Sequence, residues 1–283
     1  MSDTLQYTIV DGIKCYSADV ANAYTDYPDS GFDLTDQNAE SSFWVRSRNR
    51  LFKRMLQSHL RLAGKTRLLD IGCGTGNFIQ QIVQNKNLQI TGSEIYLKGL
   101  KYAKTNLPDV DFVQFDVTKG KIGERFNVIT AFDVIEHIED DLTALFNMNQ
   151  MLDRDGILIL SVPQHMFLWS RLDEIVKHKR RYSRRELVSK LEESGFEILR
   201  VTSFIFVLFP LMLASRLLDK NYVKSESDER GLEKRAKFHW SLNAIFDILM
   251  RIDEWLIKVG ASLPFGGTLV IISKKTLKSI DVS

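Results

Sequence analysis

Residues 67–77 read Arg-Leu-Leu-Asp-Ile-Gly-Cys-Gly-Thr-Gly-Asn. The apolar first half predicts a short buried strand, and the pattern of residues 78–83 predicts a helix directly after the glycines. Glycines between a strand and a helix allow a tight turn and let a ligand approach backbone N–H groups. The spacing is Gly-x-Gly-x-Gly, and Asn77 stands where a dinucleotide-binding loop has its third glycine. The stretch therefore predicts a cofactor loop and argues against a pyrophosphate ligand.

Strands and helices alternate on both sides of this loop. Apolar runs predict further strands over residues 89–93, 111–115, 127–132, 156–162, 196–202 and 268–273. Helical periodicity predicts helices over residues 42–62, 98–106, 140–152 and 184–193. The alternation predicts an α/β fold with a doubly wound, mostly parallel seven-stranded sheet.

Composition divides the chain into four parts. Residues 1–41 are polar and acidic and predict an irregular N-terminal arm, whereas residues 42–202 hold the alternating core. Residues 203–264 predict a helical insertion, because about 60 residues are far more than a hairpin needs between two strands. Residues 265–283 contain the last core strand and a tail.

The insertion contains two apolar segments. Residues 204–214 form an unbroken apolar run that is too short to cross a bilayer, since a spanning helix takes about 20 residues. Residues 240–259 predict a long amphipathic helix with a polar and an apolar stripe. Three interpretations stay open: an extension of the core or a homodimer interface, a cap over a hydrophobic acceptor, and a peripheral contact with a membrane surface.

Charge and cysteine content indicate which partners and which cellular compartment suit the chain. The chain has 283 residues and a net charge of +2, which gives no strong attraction to nucleic acid. With only two cysteines, Cys15 and Cys73, the chain lacks the pattern of a disulfide framework, which favours a cytoplasmic protein. Basic runs at residues 46–67 and 177–181 fit either a solvated helix face or an anion-binding or membrane-facing patch.

Acidic residues follow four predicted strands. Asp70, Glu94, Asp116 and Asp133 all fall at carboxyl ends, where open α/β sheets bind ligands. Asp70 suits the orientation of the loop or the binding of an ammonium group through water. Glu94 suits two hydrogen bonds from a ribose diol, and a carboxylate at Asp116 suits an adenine amino group.

These elements, in this order, resemble class I S-adenosylmethionine-dependent methyltransferases, including types that act in small-molecule, lipid or glycan biosynthesis. The resemblance covers residues 42–202 and the last strand, and it includes Asp-Val-Ile-Glu-His at residues 133–137. It implies a Rossmann-like fold, S-adenosylmethionine as cofactor and S-adenosylhomocysteine as product. The implied cofactor-binding residues are Trp44, Arg48, Asp70, Gly72, Cys73, Gly74, Gly76, Glu94, Ile95, Asp116, Val117 and Asp133.

Fewer sequence features indicate the residues that act on the methyl acceptor. The residues predicted to act there are His137, His165, His178, Arg181 and Tyr182, and their spacing indicates no metal site. The cations of residues 177–181 suit an acidic head group. The sequence thus predicts methyl transfer to oxygen or carbon of a small or lipid-like amphiphilic acceptor. The alternative is a regulatory or structural module that binds the cofactor without turnover.

Overall fold

The fold is taken from a computed structural model, which describes residues 4–20, 31–33, 42–60, 64–219 and 239–276. The strands are β1 (Thr8–Val10), β2 (Ile13–Cys15), β3 (Thr66–Ile71), β4 (Leu88–Glu94), β5 (Asp111–Gln114), β6 (Phe126–Phe132), β7 (Leu152–Pro163), β8 (Phe196–Phe204) and β9 (Thr268–Lys275). The helices are α1 (Phe43–Gln57), α2 (Asn77–Ile82), α3 (Leu97–Asn106), α4 (Asp141–Met151), α5 (Arg171–Ile175), α6 (Arg184–Glu193), α7 (Phe209–Asp219) and α8 (Trp240–Lys258).

The strands form one sheet in the order β1-β2-β5-β4-β3-β6-β7-β9-β8. Neighbours from β2 to β7 run parallel, whereas β9 is antiparallel to both β7 and β8. The predicted doubly wound, mostly parallel fold is confirmed. The carboxyl ends of β3, β4, β5 and β6 therefore meet at one edge, which carries the predicted cofactor residues.

The N-terminal arm differs from the prediction. Residues 8–15 form the hairpin β1–β2, which adds two strands to the edge at β5, so the sheet has nine described strands rather than seven. Ile13 and Cys15 are buried while Lys14 is exposed. A three-residue strand is too short for this alternation to stand out in the sequence. Residues 21–30 and 34–41 of the predicted arm lie outside the described residues.

Helices cover both faces of the sheet. On one face α1, α2, α3 and α8 pack over a core in which the rings of Phe52 and Phe132 stack at 3.8 Å. On the other face α4 and α6 pack over a second core that includes Leu145 and Leu187. This two-sided packing is the doubly wound arrangement, and it leaves the carboxyl edge of the sheet for ligands.

The insertion is partly built into the core. Strand β8 continues to Phe204, past the expected boundary at residue 202, and Phe204 is fully buried. Helix α8 buries Met250 and Ile257 against the first core. The helix was expected to be amphipathic, and the acids of its polar stripe face the protein: Arg50 Nη2 of α1 lies 2.6 Å from Glu254 Oε1. Among the described helices, none is both long and apolar enough to cross a membrane.

Candidate active site

The cofactor loop joins β3 to α2. Gly72, Gly74 and Gly76 all have positive φ, at 69°, 54° and 82°, which L side chains rarely adopt. A Cβ on Gly72 would clash with Val134, so this glycine lets the ends of β3 and β6 approach each other. A Cβ on Gly74 would meet no atom within 4 Å. Open space therefore lies beside the middle of the loop.

Asp70 lies just before the loop and is 3% exposed. Thr130 Oγ1 donates a hydrogen bond of 2.6 Å to Asp70 Oδ1. Burial raises the pKa of Asp70 to about 7; the hydrogen bond from Thr130 opposes this rise and the charge of Glu94 adds to it. A nearby cation would stabilise the ionised form of such a buried carboxyl group. Its contact with an ammonium group of the cofactor stays a prediction.

Glu94 ends β4 and holds the cofactor loop in place. Its Oε2 accepts a hydrogen bond of 3.0 Å from Gly74 N, and its Oε1 accepts hydrogen bonds from Ile95 N at 2.7 Å and Tyr96 N at 3.3 Å. Burial raises the pKa of Glu94, while these three backbone bonds lower it. Glu94 thus has a structural role in addition to the ribose contact, which stays a prediction.

Asp116 is the second residue after β5 and is 4% exposed. Its Oδ1 accepts hydrogen bonds from Thr118 N at 2.9 Å and Thr118 Oγ1 at 2.7 Å, and its N–H donates to Ser17 Oγ at 3.2 Å. Val117 beside it and Cys73 in the loop are both buried. The structure brings these predicted residues to the same edge of the sheet, and their contacts with a cofactor stay predictions.

Arg48 connects α1 to the end of β6. Its Nη2 lies 2.6 Å from Asp133 Oδ2, and Ser161 Oγ donates to Asp133 Oδ1 at 3.0 Å. The guanidinium also lies 5.2 Å from the centroid of the Trp44 ring, which stacks on Phe204. Arg48 was predicted to bind the methionine carboxylate, and in the structure its anionic partner is Asp133. The packing of Trp44 against Phe204 does not show a cover over the cofactor.

A second group of titratable side chains lies beyond β6. Glu136 and His137 belong to a 3-10 turn, Ile135–His137, and His178 follows α5. The rings of His137 and His178 meet edge to face with centroids 4.8 Å apart. His178 Nδ1 lies 2.8 Å from Asp173 Oδ1, and its Nε2 lies 3.8 Å from Glu136 Oε1. We refer to Glu136, His137, Asp173 and His178 as the acceptor-side cluster.

Burial controls the charge states in this cluster. It raises the pKa of Glu136 well above its usual range, and both carboxylate oxygens lack a hydrogen-bond partner within the described part of the chain. Burial lowers the pKa of His137 to about 4, and His178 adds to the effect. Burial also opposes ionisation of Asp173, but hydrogen bonds from His178 and Arg181 outweigh it and hold its pKa below the usual range. At neutral pH a neutral His137 therefore lies beside a His178 that is paired with an ionised Asp173.

The cluster also has the composition of a metal site. Glu136, His137 and His178 each offer one ligand atom, and these atoms lie within 4.8 Å of one another. Asp173 on the other nitrogen of His178 matches the outer partner that metal-binding histidines have. Sequence spacing did not indicate this set, because its members come from two segments about 40 residues apart.

The predicted anion-binding cations are already paired with acids of the protein. Arg181 donates to Asp173 from Nε at 2.8 Å and from Nη2 at 3.1 Å, and it is 7% exposed. Arg180 Nη1 lies 3.2 Å from Asp141 Oδ2. Arg180 and Arg181 are thus paired with acids within the fold, and binding of an acidic head group by this basic run stays a prediction.

Tyr182 is likewise a structural residue in this geometry. It is fully buried, and its hydroxyl donates to Asp141 Oδ2 at 2.7 Å and lies 3.2 Å from the carbonyl oxygen of Ile135. Burial and the contact with Asp141 raise its pKa above the usual range. The phenol thus fixes the turn that carries Glu136 and His137, and its expected catalytic role stays a prediction.

His165 belongs to a group of rings that we call the aromatic rim: His165, Phe167, Phe206, Phe209 and Phe265. The His165 ring stacks on Phe167 at 4.8 Å, and Phe265 contacts Phe206 at 4.7 Å and Phe209 at 5.1 Å. Burial lowers the pKa of His165. Phe167 is 54% exposed, so the rim presents apolar surface beside the predicted histidine.

Two residues of the cluster were not predicted from the sequence. Glu136 is the residue before His137 in the sequence, and its significance comes from complete burial with no hydrogen-bond partner for its side-chain oxygens among the described residues. Asp173 forms a capping box with Ser170 at the start of α5. Its second role, orienting His178, depends on the path of the connection after α5, and no local pattern encodes that path.

A family model described as a methyltransferase domain matches residues 40–201, more than half of the chain. The chain belongs to this methyltransferase family. The resemblance to class I S-adenosylmethionine-dependent methyltransferases is therefore confirmed, and S-adenosylmethionine is the cofactor that this family uses.

Curated relatives are about a quarter identical to this methyltransferase over the residues that align. A ubiquinone biosynthesis O-methyltransferase of Rickettsia canadensis is 25% identical over 168 residues, which are 53% of this chain and 71% of the relative. A protein of the same name from a Ruegeria species is 25% identical over 62% of this chain and 78% of its own length. A putative methyltransferase of Invertebrate iridescent virus 6 is 26% identical, and the match spans 45% of that protein.

Solved structures share the fold of the methyltransferase. The cyclase SpnF superposes with a TM-score of 0.59 at 18% identity and covers 88% of this chain and 94% of its own. Phosphoethanolamine N-methyltransferase 2 of Haemonchus contortus, in complex with S-adenosylmethionine, has a TM-score of 0.56 at 17% identity. The match covers 89% of this chain and 58% of that protein. At these identities the likeness shows the fold alone, and a shared fold does not decide the reaction.

The residues of the cofactor loop fit S-adenosylmethionine. The space beside Gly74 admits close contact of a ligand with the backbone, and the neighbouring carboxyl of Asp70 suits a cationic amino-acid group.

Proposed function

We propose that this methyltransferase transfers a methyl group to a hydroxyl oxygen of a small acceptor that carries an apolar part. The observation behind the proposal is the pairing of Asp173 with His178 beside Glu136, next to the cofactor edge at Asp133. Oxygen is favoured as the methylated atom because the relatives from Rickettsia canadensis and Ruegeria are named as O-methyltransferases.

Transfer to a hydroxyl needs a group that removes its proton. With Nδ1–H of His178 donating to Asp173, the second nitrogen, Nε2, is available to accept a proton. The positive charge formed on the ring is then stabilised by the carboxylate of Asp173. S-adenosylmethionine, when bound, supplies an electrophilic methyl group. The task of the chain is to hold the acceptor oxygen in line with that group and to take up the proton.

The aromatic rim supports an apolar part in the acceptor. Phe167 and Phe265 are 54% and 40% exposed, and His165 joins this surface to the connection that also carries Asp173 and His178. Apolar side chains that line a ligand site bind apolar ligand surface, with a few polar groups to fix orientation. The acceptor is therefore proposed to be amphiphilic.

A second role for the acceptor-side cluster is favoured by the unpaired oxygens of Glu136. A divalent cation held by Glu136, His137 and His178 would polarise the hydroxyl of the acceptor instead of removing its proton directly. Metal-depleted protein separates the two roles. An unchanged rate supports proton transfer to His178, and a rate that is lost and then restored by Mg²⁺ or Zn²⁺ supports metal ligation.

Turnover is tested with S-adenosylmethionine labelled at its methyl group, incubated with a total lipid extract and with a water-soluble extract. We expect label in the organic phase and stoichiometric S-adenosylhomocysteine. His178→Asn is expected to lower kcat by about 10²–10⁴ while the Kd for S-adenosylmethionine stays within about twofold. The control is His59→Asn, a histidine at the end of α1. Binding without turnover in either extract would leave the alternative of a non-catalytic cofactor-binding module.

A further inference from the structure

Helix α8 exposes an apolar surface along its whole length. Seven apolar side chains along α8 are 43% exposed or more, and from Leu242 onward they recur every three or four positions. They are Trp240, Leu242, Ile245, Ile248, Ile252, Trp255 and Val259. We call this surface the outer face of α8. Contiguous exposed apolar surface of this kind on a folded protein marks a contact with another apolar phase.

Interactions on the opposite side of α8 fix this orientation. Arg50 Nη1 lies 2.9 Å from Asp247 Oδ1, and Arg50 Nη2 lies 2.6 Å from Glu254 Oε1. Asp253 accepts hydrogen bonds from the backbone N–H groups of Phe206 at 2.6 Å and Val207 at 3.1 Å. Turning the apolar stripe inward would break all of these contacts and leave three carboxylates without partners. The exposure is thus a fixed feature of the fold.

The charges around the outer face decide between possible partners. All three acids of α8, namely Asp247, Asp253 and Glu254, are buried on the protein side. Its two cations, Arg251 and Lys258, are exposed, although Arg251 also lies 3.4 Å from Asp247. A second copy of this helix would bring like charges together, whereas an anionic surface would meet them favourably.

The sequence before α8 is weakly basic: residues 220–239 contain six cations and four acids. Residues 230–239 contain Arg230, Lys234, Arg235 and Lys237 and one acid, Glu233. Tryptophans stand near both ends of the helix, at positions 240 and 255, and this side chain favours the boundary between lipid headgroups and acyl chains. Basic residues, tryptophans and an apolar face on one helix are the combination of helices that lie in a membrane surface.

We propose that the outer face of α8 binds the surface of an anionic lipid bilayer, with the helix lying in the plane of the membrane. At 19 residues α8 is about 28 Å long, which gives an extended line of contact without crossing the bilayer. The protein core stays on the aqueous side, held to the helix through Arg50 and Asp253. The proposal concerns binding only and does not depend on the methylated acceptor.

The test is sedimentation of the full chain with vesicles of phosphatidylglycerol and phosphatidylcholine, and with vesicles of phosphatidylcholine alone. We expect binding to the anionic vesicles, weakened at least tenfold by Ile248→Ser. The control is Ile9→Ser on β1, because Ile9 and Ile248 are 60% and 63% exposed. Thermal unfolding of both variants checks that each is folded.

The electrostatic part is tested with Arg251→Gln combined with Lys258→Gln. We expect this pair to weaken binding to anionic vesicles, and we expect Lys65→Gln combined with Lys86→Gln, two exposed cations elsewhere on the chain, to leave it unchanged. Light scattering after size exclusion measures the oligomeric state in parallel. A dimer that Ile248→Ser separates, without vesicle binding, would overturn the proposal in favour of a second copy. A protein that binds no vesicles, or binds them equally well as Ile248→Ser, would overturn it too.

Discussion

Asp70→Asn offers a direct test of how the cofactor edge is built. Asp70 is buried, accepts a hydrogen bond from Thr130, and has a pKa of about 7 because burial disfavours its charge. An asparagine of the same shape keeps an oxygen that can accept the bond from Thr130, and it cannot ionise. The substitution therefore removes a charge from the buried site with little change in packing.

The magnitude follows from the pKa difference. The ordinary pKa is 3.8, so the folded protein holds a proton that the unfolded chain has lost between pH 3.8 and about 7. Stability from this group is present below pH 3.8 and declines as the pH rises to about 7. One pKa unit is worth about 1.4 kcal/mol. Between pH 5 and pH 8 the free energy of unfolding of the parent should therefore fall by about 2.5 kcal/mol relative to that of Asp70→Asn.

Urea unfolding of both proteins at pH 5, 6, 7 and 8 gives this difference directly, and comparing them removes the contributions of other titrating groups. Asp109→Asn, an exposed carboxylate, is the control. Calorimetry in buffers of different ionisation enthalpy should show that S-adenosylmethionine binding at pH 7 releases up to about half a proton from the parent and none from the variant. A stability difference that stays flat with pH, or equal proton release, would refute the reasoning about Asp70.

Three further substitutions test other parts of the structure. Glu94→Ala should weaken binding of S-adenosylmethionine and S-adenosylhomocysteine at least tenfold, since a few hydrogen bonds of about 1.5–3 kcal/mol each are lost; unchanged affinity in calorimetry would contradict the ribose assignment. Gly72→Ala should cost more stability than Gly74→Ala in urea unfolding, because both strain the backbone and a Cβ clashes at Gly72 alone. Arg50→Gln should cost roughly 3 kcal/mol because it leaves Asp247 and Glu254 of α8 without their main partner. The control, Lys53→Gln on the same helix, should lower the free energy of unfolding by less than about 0.5 kcal/mol. Equal losses in the two variants would argue against Arg50 as the main partner of the α8 acids.

Much of the fold could be predicted because the local sequence patterns favour the same strands and helices that the folded sheet contains. Strand, glycine loop and helix follow one another within residues 67–83, and the strand ends carry acids at regular intervals. The hairpin β1–β2 was missed because its strands have three residues each and depend on the free edge of β5. A contact that exists only through tertiary pairing leaves little local signal.

The acceptor side was harder to predict for a related reason. His137 and His178 were both selected from the sequence, and the structure brings their rings into contact. Their partners, Glu136 and Asp173, gain their roles from burial and from the path of the chain. Arg181 was assigned to a ligand because no local pattern shows its pairing with Asp173, eight residues earlier in the sequence.

Helix α8 shows how charge patterns separated by 200 residues determine which side of a helix is buried. Periodicity predicted its two stripes and could not tell which of them faces inward. The answer lies in α1, where Arg46, Arg50 and Arg54 recur at four-residue intervals, and each lies within 3.5 Å of Asp247 or Glu254. The basic run that suggested an anionic ligand is thus bound by acids of the same chain. Because those acids occupy the inner side of α8, the apolar stripe is left on the surface, where it is available to a membrane.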